Sequence, residues 1–247
     1  MQNISIAFKA SSLTIPLGYH HQVQGLIYTL LRCGGGEDIH DKSTDFGRRQ
    51  YKLFTFSSLR GGKVAADRKS LRFKSTAYLD VRSVRTEFCD ALLTGLRSEE
   101  PLYLFGQPIS VSSIETSDAP ITSSSMRIKM LSPLTVHRTH ENGYTEYLNP
   151  LDPDFAEEIN ANFARKYYEF CGEKPKVHIS IRAENVGARD KYLTLFKKAG
   201  ESGGKDIYIS GWRGEYGLRG SPEHLTFIYY CGLGARNSSG FGMFEPV

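Results

Sequence analysis

Residues 232–244 read Gly232-Leu233-Gly234-Ala235-Arg236-Asn237-Ser238-Ser239-Gly240-Phe241-Gly242-Met243-Phe244. The pattern is G-h-G-x5-G-h-G, in which h is an apolar residue. Glycines at this density allow positive φ angles and let the backbone approach a ligand closely. Free backbone N–H groups in such a loop can contact a phosphate, and Arg236 adds a positive charge. The terminus is therefore a candidate anion-binding loop.

Three other interpretations compete for this glycine-rich loop. A nucleotide-binding G-x-G-x-x-G loop should open a helix. Gly240–Phe244 is also similar to part of the core strand of an RNA-recognition motif, which a helix and a further strand should follow. Only five residues follow Gly242, and this disfavours both. The loop can also be a tight hairpin that binds no ligand.

Hydrophobic periodicity divides the chain into two halves of similar element order. Ile4–Phe8 alternates as a strand does, and apolar residues recur at helical spacing from His20 to Arg32. The elements predicted for the first half are strands at Ile4–Phe8, Lys52–Phe56, Leu71–Val81 and Pro108–Ile114, and helices at His20–Arg32 and Val84–Leu96. Those predicted for the second half are strands at Met126–His137, Val177–Ala183 and Ile207–Gly217, a helix at Asp152–Phe170, and Pro222–Cys231 as either a helix or a strand.

Two βαββαβ halves predict an α+β fold of two tandem ferredoxin-like (RRM-like) domains. The predicted domains are residues 1–115 and 126–247, and the second carries the glycine-rich loop. The polar stretch 116–125 contains Pro120 and a run of serines, so we expect it to be a linker.

Composition limits the class of protein. Of the 247 residues, 40% are hydrophobic and 23% are charged, as in packed globular proteins. No apolar run reaches the roughly 18 residues that a membrane span needs, and the N-terminus lacks the features of a signal peptide, so we expect a cytoplasmic protein that does not contact a membrane. The four cysteines form no C-x-x-C pair, so we expect buried free thiols and no zinc site. They are Cys33, Cys89, Cys171 and Cys231.

Positive charge is concentrated in one segment. Between Arg48 and Lys74, nine basic residues accompany one acid, Asp67, which gives a local net charge of +8, whereas the whole chain carries +4. Such a segment can bind a polyphosphate backbone, or it can be a solvated basic loop. The nine residues are Arg48, Arg49, Lys52, Arg60, Lys63, Arg68, Lys69, Arg72 and Lys74.

Motifs spread over most of the chain resemble those of the RAMP superfamily, the repeat-associated RNA-binding proteins of CRISPR systems. Their order is similar to that of the repeat-cleaving endoribonucleases of this group, the Cas6 family. The motifs are Ile15-Pro16-Leu17-Gly18-Tyr19-His20-His21 leading into Leu26-Ile27-Tyr28, Ile39-His40-Asp41, Tyr51-Lys52-Leu53-Phe54-Thr55-Phe56-Ser57, Leu131-Ser132-Pro133, the helix around Phe163–Tyr168, and Ser239-Gly240-Phe241-Gly242-Met243.

The resemblance implies a metal-independent, cofactor-free endoribonuclease that cleaves CRISPR repeat RNA in precursor transcripts to give guide crRNAs. It implies a catalytic set of Tyr28, His40 and Lys52 in the N-terminal domain. The expected partners are the repeat RNA, subunits of a CRISPR effector complex, and a second copy of the chain in a homodimer. The basic segment and the glycine-rich loop supply the expected RNA-binding residues, namely Arg48, Arg49, Arg60, Lys63, Arg68, Lys69, Gly232, Gly234, Arg236, Asn237, Ser239, Gly240 and Gly242.

These residue types suit RNA cleavage by the ribose 2′-OH. Attack of this hydroxyl on the adjacent phosphorus gives a 2′,3′-cyclic phosphate and a 5′-OH end. His40 is the candidate acid or base, because the unperturbed pKa of histidine is about 6.5. Lys52 would stabilise the developing negative charge, and Tyr28 would position the 2′-OH or share the proton transfer. The sequence does not divide the acid from the base.

Other functions remain open from the sequence alone. A non-catalytic RNA-binding RAMP subunit would share the fold and the glycine-rich loop, and an unrelated enzyme could use that loop for a nucleotide. His20 and His21 could contact RNA or replace His40, but with His40 they match no standard metal-ligand spacing. The remaining histidines, His137, His140, His178 and His224, are expected to be structural or solvent-exposed. Base stacking is a further candidate role for Trp212, Arg213 and Tyr216, against which stands burial of Trp212.

Overall fold

The computed structural model describes residues 1–10, 12–36, 51–197 and 206–247. The chain forms two compact units. Unit 1 comprises Met1–Lys52, Ser58–Asp118 and Thr194–Tyr208, and unit 2 comprises Leu53–Ser57, Ala119–Leu193 and Ile209–Val247. Leu53–Ser57 belongs to unit 2 and Thr194–Tyr208 belongs to unit 1, although each is flanked in the sequence by residues of the other unit. The predicted domain bounds, which follow the linear sequence, stay a prediction.

Unit 1 is built on an antiparallel sheet with two helices. The strands are β1 (Gln2–Lys9), β6 (Thr76–Ser83), β7 (Leu102–Leu104) and β8 (Gln107–Ser117), in the spatial order β6-β1-β8-β7. The helices are α1 (His20–Cys33) and α2 (Thr86–Leu96). The apolar stripe predicted for α1 is buried, and strand and helix side chains such as Ile6 and Phe88 form the core.

Two glycines allow α1 and α2 to pack at very short range. A Cβ atom on Gly95 of α2 would lie 1.9 Å from the carbonyl oxygen of Leu30, and one on Gly34, just after α1, would lie 1.8 Å from that of Ala91. Neither distance is compatible with any other residue type at these positions. Gly34 therefore does more than end the first helix, since it also sets the approach of the second.

Unit 1 also contains a small three-stranded sheet. Its strands are β2 (Thr14–Pro16), β4 (Lys63–Val64) and β5 (Ser70–Arg72), in the order β2-β5-β4. The turn between β4 and β5 is closed by Asp67, whose Oδ1 accepts hydrogen bonds from the backbone N–H groups of Lys69 (2.8 Å) and Ser70 (3.1 Å). The single acid of the basic segment is thereby used to shape a turn.

Unit 2 has the complete βαββαβ order. Strand β9 (Ser125–Met130) is followed by α3 (Phe155–Cys171), β12 (Ser180–Asn185), β15 (Glu215–Arg219), α4 (Pro222–Cys231) and β16 (Phe244–Pro246). The antiparallel sheet has the order β12-β15-β9-β16. Ser221 caps α4 by accepting a hydrogen bond from the N–H of His224, with Pro222 at the first helical position.

The remaining elements are short. Strand β3 (Phe54–Phe56) belongs to unit 2, as does the hairpin of β10 (His137–Thr139) and β11 (Thr145–Tyr147). A two-stranded sheet joins β13 (Lys191–Lys197) and β14 (Ile207–Trp212). Single 3-10 turns lie at Ala188–Asp190 and Asn237–Ser239. Among the residues that the structure describes, no helix has the length and apolar character needed to cross a membrane.

Several predicted boundaries are wrong for identifiable reasons. Leu71–Val81 is two strands, and so is Ile207–Gly217, where Gly214 adopts a φ of +98° between β14 and β15. Strand β8 continues to Ser117 because it pairs with β1 along its polar end, so the serine-rich composition there does not mark a loop. Of the two alternatives left open for Pro222–Cys231, the helix is the one observed.

The predicted state of the cysteines is confirmed in part. All four cysteines are free, and burial raises the pKa of both Cys89 and Cys231 to about 11. Cys171, at the C-terminal end of α3, is exposed, so the expectation of buried thiols is wrong there.

Candidate functional site

The predicted catalytic set is only partly covered by the described residues. Tyr28 is half-buried on α1, five residues before the helix ends at Cys33, and Lys52 is half-buried two residues before the start of β3. Leu53, which follows Lys52, has a φ of +46°, so the backbone turns sharply between the lysine and the strand. His40 lies outside the described residues, as do Arg48 and Arg49. The catalytic arrangement of Tyr28, His40 and Lys52 stays a prediction.

The described cations of the basic segment differ in their surroundings. Arg60 forms an ion pair with Asp80, with 2.6 Å between Nη2 and Oδ2. Lys63 and Arg72 are directly opposite each other in the β4–β5 pair and are both exposed. Like charges at facing positions repel and destabilise a sheet unless an anion or solvent screens them. Arg68, in the turn between the strands, has a φ of +53°.

A cavity of about 530 Å³ lies beside this basic hairpin. Lys63, Arg72 and Lys74 line it together with small and apolar side chains such as Val64 and Ala66. Its volume is in the range of pockets that hold small organic molecules. The lining thus combines apolar side chains with three cations and the carboxylate of Asp67, and the three cations give it a net positive charge.

The glycine-rich loop of unit 2 is held by backbone hydrogen bonds within the loop and to neighbouring segments. The backbone N–H groups of Leu233 and Gly242 donate to the carbonyl oxygens of Gly242 and Pro133, each at 2.9 Å. Further N–H groups of the loop that have backbone acceptors are those of Gly232, Ala235, Ser239 and Gly240. The expectation of free N–H groups is wrong for these residues, because their acceptors lie within the loop, at the end of α4 and in the segment Pro133–Thr135. Whether the predicted loop residues contact RNA stays a prediction.

A buried lysine holds the loop in place. Lys166 on α3 is 2% exposed, and its Nζ donates to the carbonyl oxygens of Gly232 (2.6 Å) and Gly234 (3.1 Å) and to Oδ1 of Asn237 (2.9 Å). Burial lowers the pKa of Lys166, while three acceptors match the three donors of an ammonium group. The Nδ2 of Asn237 in turn donates to the carbonyl oxygens of Leu233 and Phe241. Asn237 is thus part of the loop's framework.

Strand β3 packs directly against this loop. The Oγ1 of Thr55 donates to the carbonyl oxygen of Phe241 at 3.0 Å, and a Cβ atom on Gly232 would lie 3.0 Å from Cβ of Thr55. The K-L-F-T-F-S and S-G-F-G-M motifs, 186 residues apart at this hydrogen bond, are therefore neighbours in space. Their shared packing gives a physical reason for both sequence patterns.

Three aromatic or histidine residues considered for RNA contact lie in the interior. His20 is fully buried and stacks on Tyr19, with ring centroids 4.7 Å apart. Trp212 donates its Nε1–H to the carbonyl oxygen of Leu148 at 3.2 Å, and Tyr216 is fully buried. Base stacking by Trp212 and Tyr216 is therefore wrong as an interpretation, and His20 is a core residue.

The sequence missed a cluster around His137. This residue faces Tyr147 across the β10–β11 hairpin, with ring centroids 5.7 Å apart. Burial lowers the pKa of His137, and the positive charges of Arg236 and then Arg165 lower it further. The three cationic or titratable groups come from three separate elements, so no local sequence pattern could have joined them.

Comparison with known proteins agrees with this architecture. Residues 115–246 match the family model described as CRISPR associated protein Cas6, C-terminal. The CRISPR-associated endoribonuclease Cas6 2 of Methanocaldococcus jannaschii is 27% identical over 245 residues, covering 92% of this chain and 91% of that protein. The CRISPR-associated endoribonuclease Cas6 of Pyrococcus furiosus is 23% identical over 240 residues, covering 95% and 84%.

Solved structures give the same result for the fold. The structure of a Cas6-related protein from Pyrococcus furiosus has a TM-score of 0.81 at 19% identity and covers 100% of this chain and 98% of that one. A RAMP protein described as binding different RNA substrates has a TM-score of 0.80 at 20% identity, with both chains fully covered.

The fold defines a protein of the α+β class with two tandem ferredoxin-like domains, as predicted. More narrowly, the chain belongs to the Cas6 family. The predicted family is thereby confirmed. The curated relatives described above are named endoribonucleases, which is the predicted enzyme class.

Proposed function

We propose that this chain is a metal-independent endoribonuclease that cleaves the repeat sequence of CRISPR precursor transcripts to give guide crRNAs. The observation that carries the proposal is the Cas6 family match, together with relatives named endoribonucleases that align over more than nine-tenths of the chain. The proposed substrate is an RNA transcript, and because we expect that transcript in the cytoplasm, we place the reaction there.

The basic hairpin of unit 1 supports RNA binding. Lys63 and Arg72 face each other without an ion-pair partner among the described residues, and Lys74 lines the same cavity. A phosphodiester between two facing cations would convert their repulsion into attraction on both sides. Because these contacts are electrostatic, affinity for RNA should fall steeply as salt is raised.

The proposed chemistry uses the 2′-OH of the RNA as the nucleophile. His40 transfers the proton, since an imidazole with a pKa near 6.5 serves as either acid or base near neutral pH. Lys52 stabilises the negative charge that develops on the phosphorane, and Tyr28 positions the 2′-OH or shares the proton transfer. The products are a 2′,3′-cyclic phosphate and a 5′-OH end. Subunits of a CRISPR effector complex and a second copy of the chain are the proposed protein partners.

A single-turnover cleavage assay on the host's repeat RNA tests the proposal. The wild-type protein should cleave at one position in the repeat and should stay active in excess EDTA. His40→Ala should abolish cleavage and leave RNA binding within a few fold, because a general acid or base acts on the chemical step. The matched control is His178→Ala, which removes an exposed histidine and should cleave at the wild-type rate.

Two results would contradict the proposal. Full activity of His40→Ala would remove His40 from the mechanism. Tight binding of repeat RNA by the wild-type protein without any cleavage would instead favour the second candidate, a non-catalytic RNA-binding RAMP subunit, which the structural likeness to a RAMP protein binding different RNA substrates keeps in view.

A further inference from the structure

Strand β3 is a buried element of unit 2 that begins two residues after Lys52, the lysine of the proposed mechanism. The three residues of β3 are each at most 1% exposed, and Leu53, which joins the strand to Lys52, is 3% exposed. Buried side chains are close-packed, so a strand of this kind has a fixed position. The backbone of Lys52 is therefore joined through a single residue to a rigid strand.

The joining residue adopts a strained conformation. Leu53 has a φ of +46°, in the left-handed region that residues other than glycine seldom occupy. A backbone of this kind persists only when its surroundings over-determine it, and such strain gathers at functional sites. Because Leu53 and β3 are both buried, the turn transmits the position of the strand to Lys52.

A chain of buried hydrogen bonds fastens β3 to the glycine-rich loop. The carbonyl oxygen of Phe241 accepts from Oγ1 of Thr55 and from Nδ2 of Asn237, each at 3.0 Å. The Oδ1 of Asn237 accepts from Nζ of Lys166 at 2.9 Å. All three hydrogen bonds are buried, where such a bond is electrostatically stronger than in water. Helix α3 is thus linked to β3 through one asparagine and one carbonyl group.

The backbone conformation of the loop makes room for this contact. A Cβ atom on Gly232 would lie 2.6 Å from Nδ2 of Asn237 and 3.0 Å from Cβ of Thr55. The close approach of strand, asparagine and loop therefore depends on the absence of a side chain at position 232. The residues of the loop with positive φ are Gly232, Gly234, Arg236, Gly240 and Gly242, with a φ of +59° at Arg236.

The proposed role of Lys52 requires such support. Stabilisation of a phosphorane depends on where the cation lies relative to the developing charge. Misplacement of a catalytic group by about 1 Å can lower a rate by about 100-fold. The lysine side chain is a long flexible stem, so the precision of its ammonium group begins with the position of its backbone.

We propose that Thr55 is a positioning residue for RNA cleavage, which places Lys52 by fastening β3 to the glycine-rich loop. The inference rests on the proposed function, and within it on the role of Lys52. Thr55 is fully buried and cannot touch the RNA, so its effect passes through the lysine. Asn237 and Lys166 hold the carbonyl group to which Thr55 is bound.

Single-turnover cleavage of the repeat RNA at saturating protein tests the assignment. Thr55→Val removes the hydroxyl at nearly constant volume, and the carbonyl oxygen of Phe241 keeps its bond from Asn237, so the fold should be retained. The rate should fall about tenfold, because a displaced cation stabilises the phosphorane less well. Thr55→Ser keeps the hydroxyl and should cleave within about twofold of the wild-type rate.

A double-mutant cycle separates positioning from a merely structural role. Lys52→Ala alone should lower the rate about 100-fold, as the loss of one charge-stabilising group does. If Thr55 acts through Lys52, adding Thr55→Val to Lys52→Ala should leave the rate at about the same 100-fold loss. Independent effects would instead multiply to a loss of about 1,000-fold.

The matched control is Thr135→Val. Thr135 is also fully buried in unit 2, and its carbonyl oxygen accepts from the N–H of Ala235 in the same loop at 2.8 Å. Its hydroxyl, however, donates to the carbonyl oxygen of Ser210 at 3.1 Å, which does not lead to β3. Thr135→Val should therefore cleave at about the wild-type rate at saturating RNA.

A wild-type rate for Thr55→Val would overturn the assignment, as would an equal loss in Thr135→Val or a loss that multiplies with that of Lys52→Ala. A Thr55→Ser variant as slow as Thr55→Val would overturn it as well. Failure of the proposed function is a separate result, since it would appear as absence of cleavage by the wild-type protein.

Discussion

Replacement of Lys166 by methionine tests the internal framework of the glycine-rich loop. Methionine fills a similar volume but donates no hydrogen bond, so the carbonyl oxygens of Gly232 and Gly234 and the Oδ1 of Asn237 each lose a partner. At about 1 kcal/mol for each buried acceptor left unpaired, the free energy of unfolding should fall by about 3 kcal/mol.

The assay is urea unfolding followed by the fluorescence of Trp212. This is the only tryptophan of the chain, and it is buried in unit 2, so its emission reports on the unit that contains the loop. With a slope of about 1–3 kcal/mol per molar urea, the midpoint should fall by about 1–3 M. Lys174→Met, at an exposed position, is the matched control and should stay within about 0.5 kcal/mol of the wild type. A Lys166→Met variant as stable as that control would refute the reasoning.

Three further predictions concern the same unit. Gly242→Ala should lower the free energy of unfolding by about 3 kcal/mol or more, because the new Cβ would lie 1.9 Å from the carbonyl oxygen of Leu233. Gly143 has a similar φ of +80° but open space around it, so Gly143→Ala should lower the free energy of unfolding by only about 1 kcal/mol. Equal losses for the two variants in urea unfolding would disprove the clash. Arg236→Gly should raise the unfolding free energy by up to about 1 kcal/mol by relieving backbone strain, and a loss of stability would contradict this. The pKa of His137 in the folded chain is depressed below about 6.5. As the pH falls through that value, the unfolded chain binds a proton that the folded chain does not, so stability is lost on acidification. Between about pH 7.5 and about pH 5.5, urea unfolding should show a smaller loss of stability for His137→Gln than for the wild type, and an equal loss would argue against a depressed pKa.

Local patterns predicted the regular elements well. The apolar residues of α1 repeat at helical spacing and are buried as expected. In the second half the same signal predicted the first strand, the long helix and the two middle strands, but it left Pro222–Cys231 as a helix or a strand and gave no final strand. The sequence did not predict the turn that divides an apolar run into two strands when only one or two residues form that turn. Gly214 divides one predicted strand, and a glycine in such a run looks like a tolerated interruption.

The surroundings of the site residues were beyond the sequence because they depend on distant contacts. Lys166 reads as a surface cation on an amphipathic helix, yet it is buried because its partners lie 66 to 71 residues further along the chain. The glycine-rich loop was recognisable as special, but the partners of its N–H groups were not. His137 acquires its altered pKa from Arg236 and Arg165, and neither lies near it in the sequence.

The central claim is that the ribose 2′-OH of the repeat RNA is the nucleophile. The most direct measurement compares cleavage of an all-ribose repeat with that of the same RNA carrying one 2′-deoxy nucleotide at the cleavage position, with mass analysis of the fragments. The account predicts a 2′,3′-cyclic phosphate and a 5′-OH from the first substrate and no cleavage of the second. Cleavage of the deoxy substrate, or fragments with a 5′-phosphate, would contradict it.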